Sequence, residues 1–445
     1  MLTNLAPLLI YLVALPVMIV TIFKVEVGIL FFILIVPVIS VMKKIVQYPA
    51  GNQFADLLLI SILLGWGVRV LREKKRIFMS SPLNLVVILI MFGSIINLIC
   101  SFTFAGSSEE IDLLKTWKNY MILPLIYFIA VNNIDEENLV KKIIICICFT
   151  MLAMDFNFYT TFKWLKQYHY SDSMRISGAF SFLGPNELSI FYNMYTFLLL
   201  GIFYFIEEKK IKYLILFVCA CNCYPILFSF SRTGYMCAIA GLLTLGLLKD
   251  RKFLVLLVAL IICYRFVLPQ AVVERIDMTF LEKDNISQEE QQSSAFDVGG
   301  TTLEITGRKH LWEKAMNYFE KEPLLGIGFD NFRRQEGWIT HSLYMRILAE
   351  QGLIGATIFI VFITTILWQS LRLFRHSKSK LGQGIGLGFL ISIIVHLVGS
   401  ATGDQSLYYN LMAIFWLFMG IVASLRKYGS SNSNNKGCQI DPLEP

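Results

Sequence analysis

Long, nearly uninterrupted apolar runs recur along the whole 445-residue chain and limit its fold more than any other feature. A run of roughly 17 to 22 residues lets a helix, rising about 1.5 Å per residue, cross about 30 Å of hydrocarbon. With 56% hydrophobic and only 16% charged residues, the chain lacks the polar surface of a soluble protein. The runs are too long for barrel strands, and backbone groups in lipid must satisfy their own hydrogen bonds. The sequence therefore predicts an all-α, polytopic membrane protein.

The apolar runs predict about twelve or thirteen transmembrane helices, because the first two have uncertain parity. The predicted spans lie near residues 5–22, 27–42, 54–70, 83–104, 115–131, 142–162, 188–206, 213–229, 235–248, 253–269, 341–371, 383–402 and 407–425. Four regions follow: N-terminal transmembrane helices (1–269), a helical periplasmic loop subdomain (270–340), C-terminal transmembrane helices (341–427) and a disordered cytoplasmic tail (428–445). The first run lacks the basic start and cleavage site of a signal peptide, so no cleavable signal is expected.

Short loops carry four clusters of Lys and Arg, which set the expected orientation of the chain. The clusters are Arg69 with Arg72, Lys74, Lys75 and Arg76; Lys209, Lys210 and Lys212; Lys249, Arg251 and Lys252; and Arg372, Arg375, Lys378 and Lys380. All four fall on one side of the predicted topology, which we assign to the cytoplasm. The segment 270–340 then faces the exterior or periplasm, and its eight Lys and Arg against thirteen Asp and Glu contrast with a whole-chain charge of +7.

The nine cysteines do not form a metal-binding pattern. Eight lie in apolar stretches, where cysteine behaves as a small hydrophobic residue. The spacing of Cys219, Cys221 and Cys223 directs alternate side chains to different faces of a helix, which does not suit zinc. The chain also has no G-x-x-x-x-G-K-S/T phosphate loop and no dinucleotide fingerprint. We therefore expect no metal, no cofactor and no nucleic-acid partner.

His341 lies where the long exterior segment meets a predicted transmembrane helix, in the run Thr-His-Ser-Leu-Tyr-Met-Arg. Thr340 is a suitable N-cap, which would place the imidazole in the positive end of the helix dipole. That field disfavours the imidazolium form, as a general base requires. An isolated histidine is more often a satisfied structural residue, so position alone leaves both roles open.

Four arginines lie near the predicted exterior boundary: Arg175, Arg232, Arg308 and Arg346. Arg232 stands in a short polar break between two apolar runs, where an ionised guanidinium is costly unless it snorkels to the surface or meets an anion. Phosphate is an anion that the planar guanidinium engages well, through two parallel hydrogen bonds. The sequence leaves snorkelling and phosphate binding open for Arg232.

Two further candidates lie on the same predicted face. Arg308 precedes an amphipathic stretch in which Leu311, Ala315 and Phe319 share one side. We expect this stretch to lie along the membrane interface, with Arg308 at a helix N-terminus prepared for an anion; a solvated surface charge is the alternative. Asp404 occupies the short turn between the last two predicted spans. It could orient the histidine or an arginine, although an ordinary solvated turn residue is the favoured interpretation.

Four motifs together resemble the O-antigen ligase and polymerase superfamily. His341 and Ser342 are followed, after nine residues, by Gly-Leu-Ile-Gly at 352–355. The other motifs are Arg-Ile-Ser-Gly-Ala-Phe at 175–180 with Gly-Pro-Asn-Glu at 184–187, Ser-Arg-Thr-Gly at 231–234, and Gly-Ile-Gly-Phe-Asp-Asn-Phe at 326–332. The resemblance extends over about residues 170–400, and the combination in this order is specific, although any one motif would be weak alone.

The resemblance implies a GT-C-like glycosyltransferase of the bacterial inner (cytoplasmic) membrane, with many spans and an active site facing the periplasm. Such an enzyme moves a glycan from an undecaprenyl diphosphate carrier to a hydroxyl group of an acceptor, without a metal and with inversion. The histidine at the position of His341 would be the base, and arginines matching Arg232 and Arg308 would bind the diphosphate. Arg175, Arg346 and Asp404 are further candidates for substrate binding.

The acceptor separates the possible functions. The long exterior segment before His341, which carries Arg308, favours an O-antigen ligase, whose acceptor is the lipid A-core oligosaccharide. The short C-terminal tail argues against a protein-directed transferase, while a polymerase of O-antigen or exopolysaccharide with the same donor is the closest alternative. A flippase or transporter for lipid-linked glycans is the alternative from another class. It would place charges deep in several spans and in matching halves of a repeat, whereas here the candidate charges gather on one face.

Overall fold

The computed structural model describes residues 2–39, 51–74, 77–103, 110–162, 169–180, 183–278 and 302–434. Within these ranges, the side chains of residues 2–7, 52, 302–308 and 426–434 lie outside the description. The described residues form helices joined by turns, with no strand among them. The all-α fold predicted from the apolar runs is therefore confirmed.

Most helices match the predicted apolar runs, and each run ends where polar residues begin. In chain order the described helices are α1 Leu2–Phe23, α2 Val25–Ile35, α3 Phe54–Glu73, α4 Pro82–Phe102, α5 Glu110–Asn133, α6 Glu137–Thr161, α7 Pro185–Phe203, α8 Lys209–Phe228, α9 Arg232–Leu248, α10 Lys252–Val267, α11 Gln270–Met278, α12 Thr302–Lys321, α13 Asn331–Glu336, α14 Leu343–His376, α15 Lys380–Ser400 and α16 Tyr409–Asn434. Short 3-10 turns occupy Val36–Val38, Gly51–Gln53, Asp172–Met174 and Gly178–Phe180.

Serine residues begin three of these helices. The hydroxyl groups of Ser81, Ser231 and Ser379 accept hydrogen bonds from backbone N–H groups in the first turns of α4, α9 and α15. These bonds satisfy amides that have no partner inside the helix. The polar breaks between the apolar runs therefore act as helix starts.

Several of the described helices can cross a membrane. α3, α4, α8, α14 and α15 are long and apolar enough, and the bent pair α10 and α11 would add a sixth span. Shorter apolar helices occupy Leu8–Phe23, Val25–Val38, Arg232–Leu248 and Tyr409–Leu425. The chain is thus a polytopic membrane protein, while the larger total of crossings expected from the sequence stays a prediction.

The most buried of the five long spans is α15. In its apolar window 78% of the residues are buried, against 28% to 33% in the other four. It packs on α7 at Gly388 and Gly201, where a Cβ atom built on Gly201 would lie 2.2 Å from the Gly388 Cα atom. Small residues permit this close approach of helices in a membrane. The pair α7 and α15 thus forms the centre of the bundle.

Three of the basic clusters meet at one end of the bundle. Lys380 Nζ, at the start of α15, lies 2.6 Å from Glu207 Oε1 in the turn between α7 and α8. Lys249 Nζ, at the end of α9, lies 4.1 Å from the centre of the Phe205 ring in the same turn. Lys209, Lys210 and Lys212 follow that turn directly. The clusters predicted to share one side of the membrane are therefore neighbours in space.

The fourth basic cluster joins them through α6. Arg69 Nη2 lies 2.9 Å from Asp135 Oδ2, two residues before α6 begins. Lys141 in the first turns of α6 pairs with Glu208, beside the three lysines. We call this end of the bundle the basic end and the opposite one the far end.

The loop after α12 docks into a break in α14 towards the far end. Gly352, with φ of 59° and ψ of −157°, interrupts the helix. The Leu353 N–H donates to Pro323 O at 2.8 Å, and the Gly328 N–H donates to Glu350 O at 3.0 Å. The loop therefore satisfies backbone groups that the break would otherwise leave unpaired. This docking holds the segment before α14, which contains His341, against the helix.

Candidate functional site

His341 lies in a tight turn just before α14. The helix begins at Leu343 with Ser342 as its N-cap, and the Ser342 side chain makes no capping hydrogen bond. Thr340 Oγ1 donates to Ser342 O at 2.8 Å and accepts from Ser342 N at 3.3 Å. The prediction that Thr340 caps the helix is therefore wrong, because its hydroxyl is engaged within the turn. His341 still lies next to the positive end of α14, but outside its first turn.

The turn of His341 is held in a strained conformation. Three of the four described non-glycine residues with positive φ lie at the far end: His341 at 53°, Phe230 at 50° and Asp330 at 58°. A left-handed conformation costs such a residue roughly 1 to 2 kcal/mol. Trp312 Nε1 on α12 donates to Thr340 O at 2.9 Å and so fixes the turn from outside. Strain that is maintained by surrounding contacts is common at functional sites.

Arg346 and Asp404 form a buried ion pair beside this turn. Arg346 Nε lies 2.9 Å from Asp404 Oδ2, and the two side chains are only 7% and 3% exposed. The interpretation of Asp404 as a solvated turn residue is therefore wrong, because the turn between α15 and α16 folds inward against α14. Burial raises the pKa of Asp404 above its ordinary value, while the positive charge of Arg346 opposes that shift.

The turn that carries Asp404 also holds the start of α14. The Leu343 N–H donates to Gly403 O at 3.2 Å, which satisfies one of the first amides of the helix. Asp404 Oδ1 is buried and has no hydrogen-bond partner among the described residues. The turn therefore fixes the position of Arg346 and leaves one carboxylate oxygen for a further donor.

A second set of charges ties α13 to α14. Glu350 is 1% exposed, and its Oε1 atom accepts from the Phe332 N–H at 3.3 Å. Asp330 Oδ1 accepts from Arg333 Nε at 3.0 Å, and Arg334 Nε lies 3.6 Å from Asp330 Oδ2. The charges of Asp330, Arg333 and Arg334 compensate one another, and Glu350 binds the first turn of α13, so we assign these groups to the support of the site.

Arg175 and Arg232 approach each other through Asn186. Arg175 Nη2 donates to Asn186 Oδ1 at 3.3 Å, and Ser231 Oγ donates to the same oxygen at 2.7 Å. Ser231 is the N-cap of α9, and Arg232 is its first residue. Two of the motifs noted in the sequence, the one at 175–180 with 184–187 and the one at 231–234, therefore meet in one place.

The structure adds Arg275, which the sequence analysis did not single out. Arg275 on α11 is 1% exposed, its Nε donates to Phe230 O at 3.3 Å, and its guanidinium lies 5.0 Å from the centre of the Tyr170 ring. The charges of Arg232 and Arg175 both act on it. We call Arg175, Arg232 and Arg275 the arginine group.

One sequence signal could have indicated Arg275. It is a basic residue set among Val272, Val273 and Ile276 in an otherwise acidic segment, a pattern typical of a short amphipathic helix. The sequence predicts that this segment belongs to an exterior loop, and the apolar pattern alone does not predict its contact with the turn before α9. The 111° bend between α10 and α11 creates that contact.

The segments that carry the arginine group and His341 are linked through one hydrogen bond between hydroxyl groups. Thr233 Oγ1, one residue after Arg232, lies 2.6 Å from Thr402 Oγ1. Thr402 precedes Gly403, whose carbonyl oxygen binds the start of α14. The structure therefore places His341, the Arg346–Asp404 pair and the arginine group at the same end of the bundle.

Arg308 is the remaining candidate from the sequence, and its side chain lies outside the described residues. Its backbone belongs to α12, which begins at Thr302, so the prediction that Arg308 lies at a helix N-terminus is wrong. The amphipathic face of α12 is directed inward, since Ala315 is fully buried in a cluster with Ile327 and Ala349. α12 therefore covers the start of α14.

An apolar cavity opens between α4, α14 and α16, on the side of Arg346 that leads towards the basic end. Its polar lining includes Asn97, Tyr120, Arg346, Gln351 and His396. The remaining lining is largely aliphatic and aromatic. Such a cavity suits an apolar chain with a polar group near Arg346.

Among the described residues, no group of three or more His, Cys, Asp or Glu side chains could hold a metal ion. The candidate groups of the site are the guanidinium groups of the arginine group and Arg346, the carboxylate of Asp404 and the imidazole of His341. This set can bind an anionic substrate and accept a proton from a hydroxyl group.

Comparison with known proteins supports the resemblance seen in the motifs. Residues 214–360 match the sequence model of a family described as O-Antigen ligase. The match covers about a third of the chain and includes Arg232, Arg275, Arg308 and His341. The resemblance to the O-antigen ligase and polymerase superfamily is therefore confirmed. No curated protein matches the chain.

Proposed function

We propose that this protein is a membrane glycosyltransferase that moves an O-antigen glycan from undecaprenyl diphosphate to a hydroxyl group of the lipid A-core oligosaccharide. The observation that carries the proposal is the meeting of His341, the Arg346–Asp404 pair and the arginine group at the far end. The match to an O-antigen ligase family over residues 214–360 supports the same class of activity. The far end would then face the periplasm, and the basic end the cytoplasm of the bacterial inner membrane.

The arginines would bind the leaving group. A diphosphate leaves readily once its negative charge is held, and guanidinium groups hold phosphate oxygens through paired, charge-assisted hydrogen bonds. Arg232, the first residue of α9, would take this role, with Arg175 beside it. The resemblance adds Arg308. With this charge in place, the reaction requires neither a metal ion nor a general acid.

His341 would act as the general base. A neutral imidazole takes the proton of the acceptor hydroxyl while the hydroxyl oxygen attacks the anomeric carbon. The bond from that carbon to the diphosphate oxygen breaks, and its electron pair leaves with the diphosphate. Direct displacement inverts the anomeric centre. The left-handed backbone at His341 holds the ring in one position. A base that is already in position does not have to diffuse to the acceptor hydroxyl group, which favours the reaction.

The Arg346–Asp404 pair would position the acceptor side of the site. Asp404 is held by Arg346, and its Oδ1 atom has no partner among the described residues. That oxygen can accept a hydrogen bond from a sugar hydroxyl group. Arg346 in turn opposes protonation of the carboxylate and orients it.

The test is glycan transfer by the purified full-length protein in vesicles that contain a polyprenyl diphosphate glycan and lipid A-core acceptor. We expect His341→Ala to lower transfer at least about 100-fold, because general base catalysis typically contributes that much, and to leave donor binding unchanged. His376→Ala, an exposed histidine at the basic end, is the matched control and should retain full activity. Transfer by His341→Ala at the wild-type rate would remove the base assignment.

A deletion strain distinguishes the acceptors. Loss of a ligase leaves long polymer on the carrier and a bare lipid A-core, whereas loss of a polymerase leaves core that bears one repeat. Loss of a flippase leaves no donor on the outer face of the membrane. Gel analysis of the surface glycolipids separates the three results, and only the first agrees with the proposed acceptor.

A further inference from the structure

We propose that Arg275 is a third cationic residue of a diphosphate subsite, beside Arg232 and Arg175, and that it positions the turn that carries Arg232. This inference rests on the proposed function for the identity of the donor. It adds a residue that the motifs do not contain, on a helix that the sequence analysis assigned to an exterior loop.

The environment of Arg275 is unusual for a charged side chain. It is 1% exposed, and its Nη1 atom is buried without a hydrogen-bond partner among the described residues. Its contacts on the protein are a backbone oxygen of Phe230 and the face of Tyr170. A backbone oxygen and an aromatic ring stabilise a guanidinium, but they do not neutralise its charge.

The neighbouring charges favour an anion as the ligand. Arg232 and Arg175 both repel the Arg275 guanidinium, while Asp172 is the carboxylate that attracts it. Asp172 already accepts a hydrogen bond from Tyr170 at 2.5 Å. Arg275 is thus a buried guanidinium with an unpartnered Nη1 atom beside two further guanidinium groups. A diphosphate group would supply both an acceptor for that atom and the negative charge that favours this arrangement.

The backbone contact gives Arg275 its second role. Phe230 has a positive φ of 50° and lies between the end of α8 and Ser231, the N-cap of α9. Arg275 Nε donates to Phe230 O at 3.3 Å, so it satisfies a carbonyl that α8 cannot use. The bond therefore fixes the turn from which Arg232 extends.

The first experiment measures binding of inorganic diphosphate to the purified full-length protein in neutral-lipid nanodiscs. We expect Arg275→Gln to weaken binding about tenfold or more, as is typical for loss of a hydrogen-bonded charge. Arg275→Lys should restore most of the affinity, because it keeps the positive charge. Arg265→Gln is the matched control: Arg265 lies on the other arm of the same bent helix pair, is exposed and pairs with Asp277, so its loss should have no effect.

Three results would overturn the proposal. Wild-type affinity in Arg275→Gln would remove the residue from the subsite. Weak binding by Arg275→Lys, equal to that of Arg275→Gln, would show that the charge does not matter and that only the backbone contact does. Displacement of diphosphate by phosphatidylglycerol in the nanodisc at similar concentration would assign the cations to a lipid headgroup. Arg175→Gln, whose side chain is less buried, serves as a second variant and should weaken diphosphate binding if Arg275→Gln does not fold.

The second experiment separates this inference from the proposed function. In the transfer assay, Arg275→Gln should raise the KM for the polyprenyl diphosphate donor and leave kcat near the wild-type value, and Arg275→Lys should restore most of the wild-type KM, because it keeps the positive charge. A merely structural defect would lower the amount of active protein, and thus kcat, without changing KM. If diphosphate binds as expected but wild-type protein transfers no glycan, the anion subsite stands and the proposed reaction fails.

Discussion

The two ends of the bundle are both rich in charge, but they hold it differently. At the basic end the Lys380–Glu207 pair is exposed, with side-chain exposures of 66% and 68%. At the far end the Arg346–Asp404 pair is 7% and 3% exposed, and Arg275 is 1% exposed. Exposed charges cost little free energy to maintain, whereas buried ones must be compensated by specific partners.

The charges of the basic end indicate how the protein is oriented in the membrane, whereas those of the far end indicate where its functional site lies. The lysines and arginines of the basic end are numerous, and their number alone predicts which side of the membrane they occupy. The buried charges of the far end indicate a site that is preorganised for a charged or polar substrate. Position relative to water, rather than the count of charged residues, therefore identifies the functional end.

The largest expected effect is at the buried pair. Asp404→Ala leaves the Arg346 guanidinium buried without its carboxylate, and we expect the free energy of unfolding to fall by about 3 to 5 kcal/mol. Chemical unfolding in detergent micelles measures it. The double variant Arg346→Met/Asp404→Leu removes both charges and should be much less destabilised. A loss of stability as large in the double variant would mean that packing, not charge, governs this pair.

The next effect concerns the break in α14 that positions the far end. Gly352→Ala introduces a Cβ atom 2.5 Å from the Leu324 carbonyl oxygen at a φ of 59°. We expect a loss of at least about 1 to 3 kcal/mol, because the backbone conformation of Gly352 is one that almost only glycine adopts. Gly67→Ala on α3 is the control, since no atom lies within 4 Å of its Cβ position. Equal stability of the two variants would contradict the docking of the loop.

A smaller effect is a dependence of the far end on acid. Burial alone would raise the pKa of Glu336, but hydrogen bonds from Lys314 and Tyr318 outweigh it and hold the pKa below its ordinary value of 4.5. The contacts therefore stabilise the fold fully above that value and are lost as the pH falls through the lower, folded pKa. We expect the protection factors for hydrogen exchange in the second half of α12 to decrease as the pH falls below the ordinary value of 4.5. Glu336→Gln should keep constant protection factors across this range, and an acid response in that variant would assign the effect to another group.

The smallest effect is expected at the basic end. Lys380→Ala breaks an exposed ion pair that is screened by water and salt, so the thermal midpoint should not change measurably. Glu207→Ala should behave in the same way. A destabilisation comparable with that of Asp404→Ala would remove the distinction between the two ends.

Much of the fold was predictable because it depends on local sequence. Apolar runs predicted the long spans, and the clusters of Lys and Arg predicted which loops share an end. Contacts such as Lys380 with Glu207 and Lys249 with Phe205 agree with that expectation. These features follow from transfer to lipid and from charge, which each segment carries by itself.

The details of the site were less predictable because they depend on distant segments. Thr340 is a good N-cap by residue type, yet its hydroxyl bonds within the turn and Ser342 takes the N-cap position. Asp404 lies in a polar turn of a kind that is usually exposed to solvent, but this turn folds onto Arg346. Arg275 gains its role only because a 111° bend returns α11 to the turn before α9. None of these contacts can be inferred from the neighbouring residues alone.

The break at Gly352 divides α14 into two unequal parts. The part from Gly352 to His376 would extend about 36 Å if straight, close to the thickness of the hydrocarbon layer, so the shorter part with Arg346 stands among the lipid headgroups. A carrier lipid could then react without lifting its phosphates out of the leaflet, while its glycan stays in water. Longer acyl chains would thicken the hydrocarbon layer and bury the shorter part of α14 in it, so we expect turnover to depend on bilayer thickness.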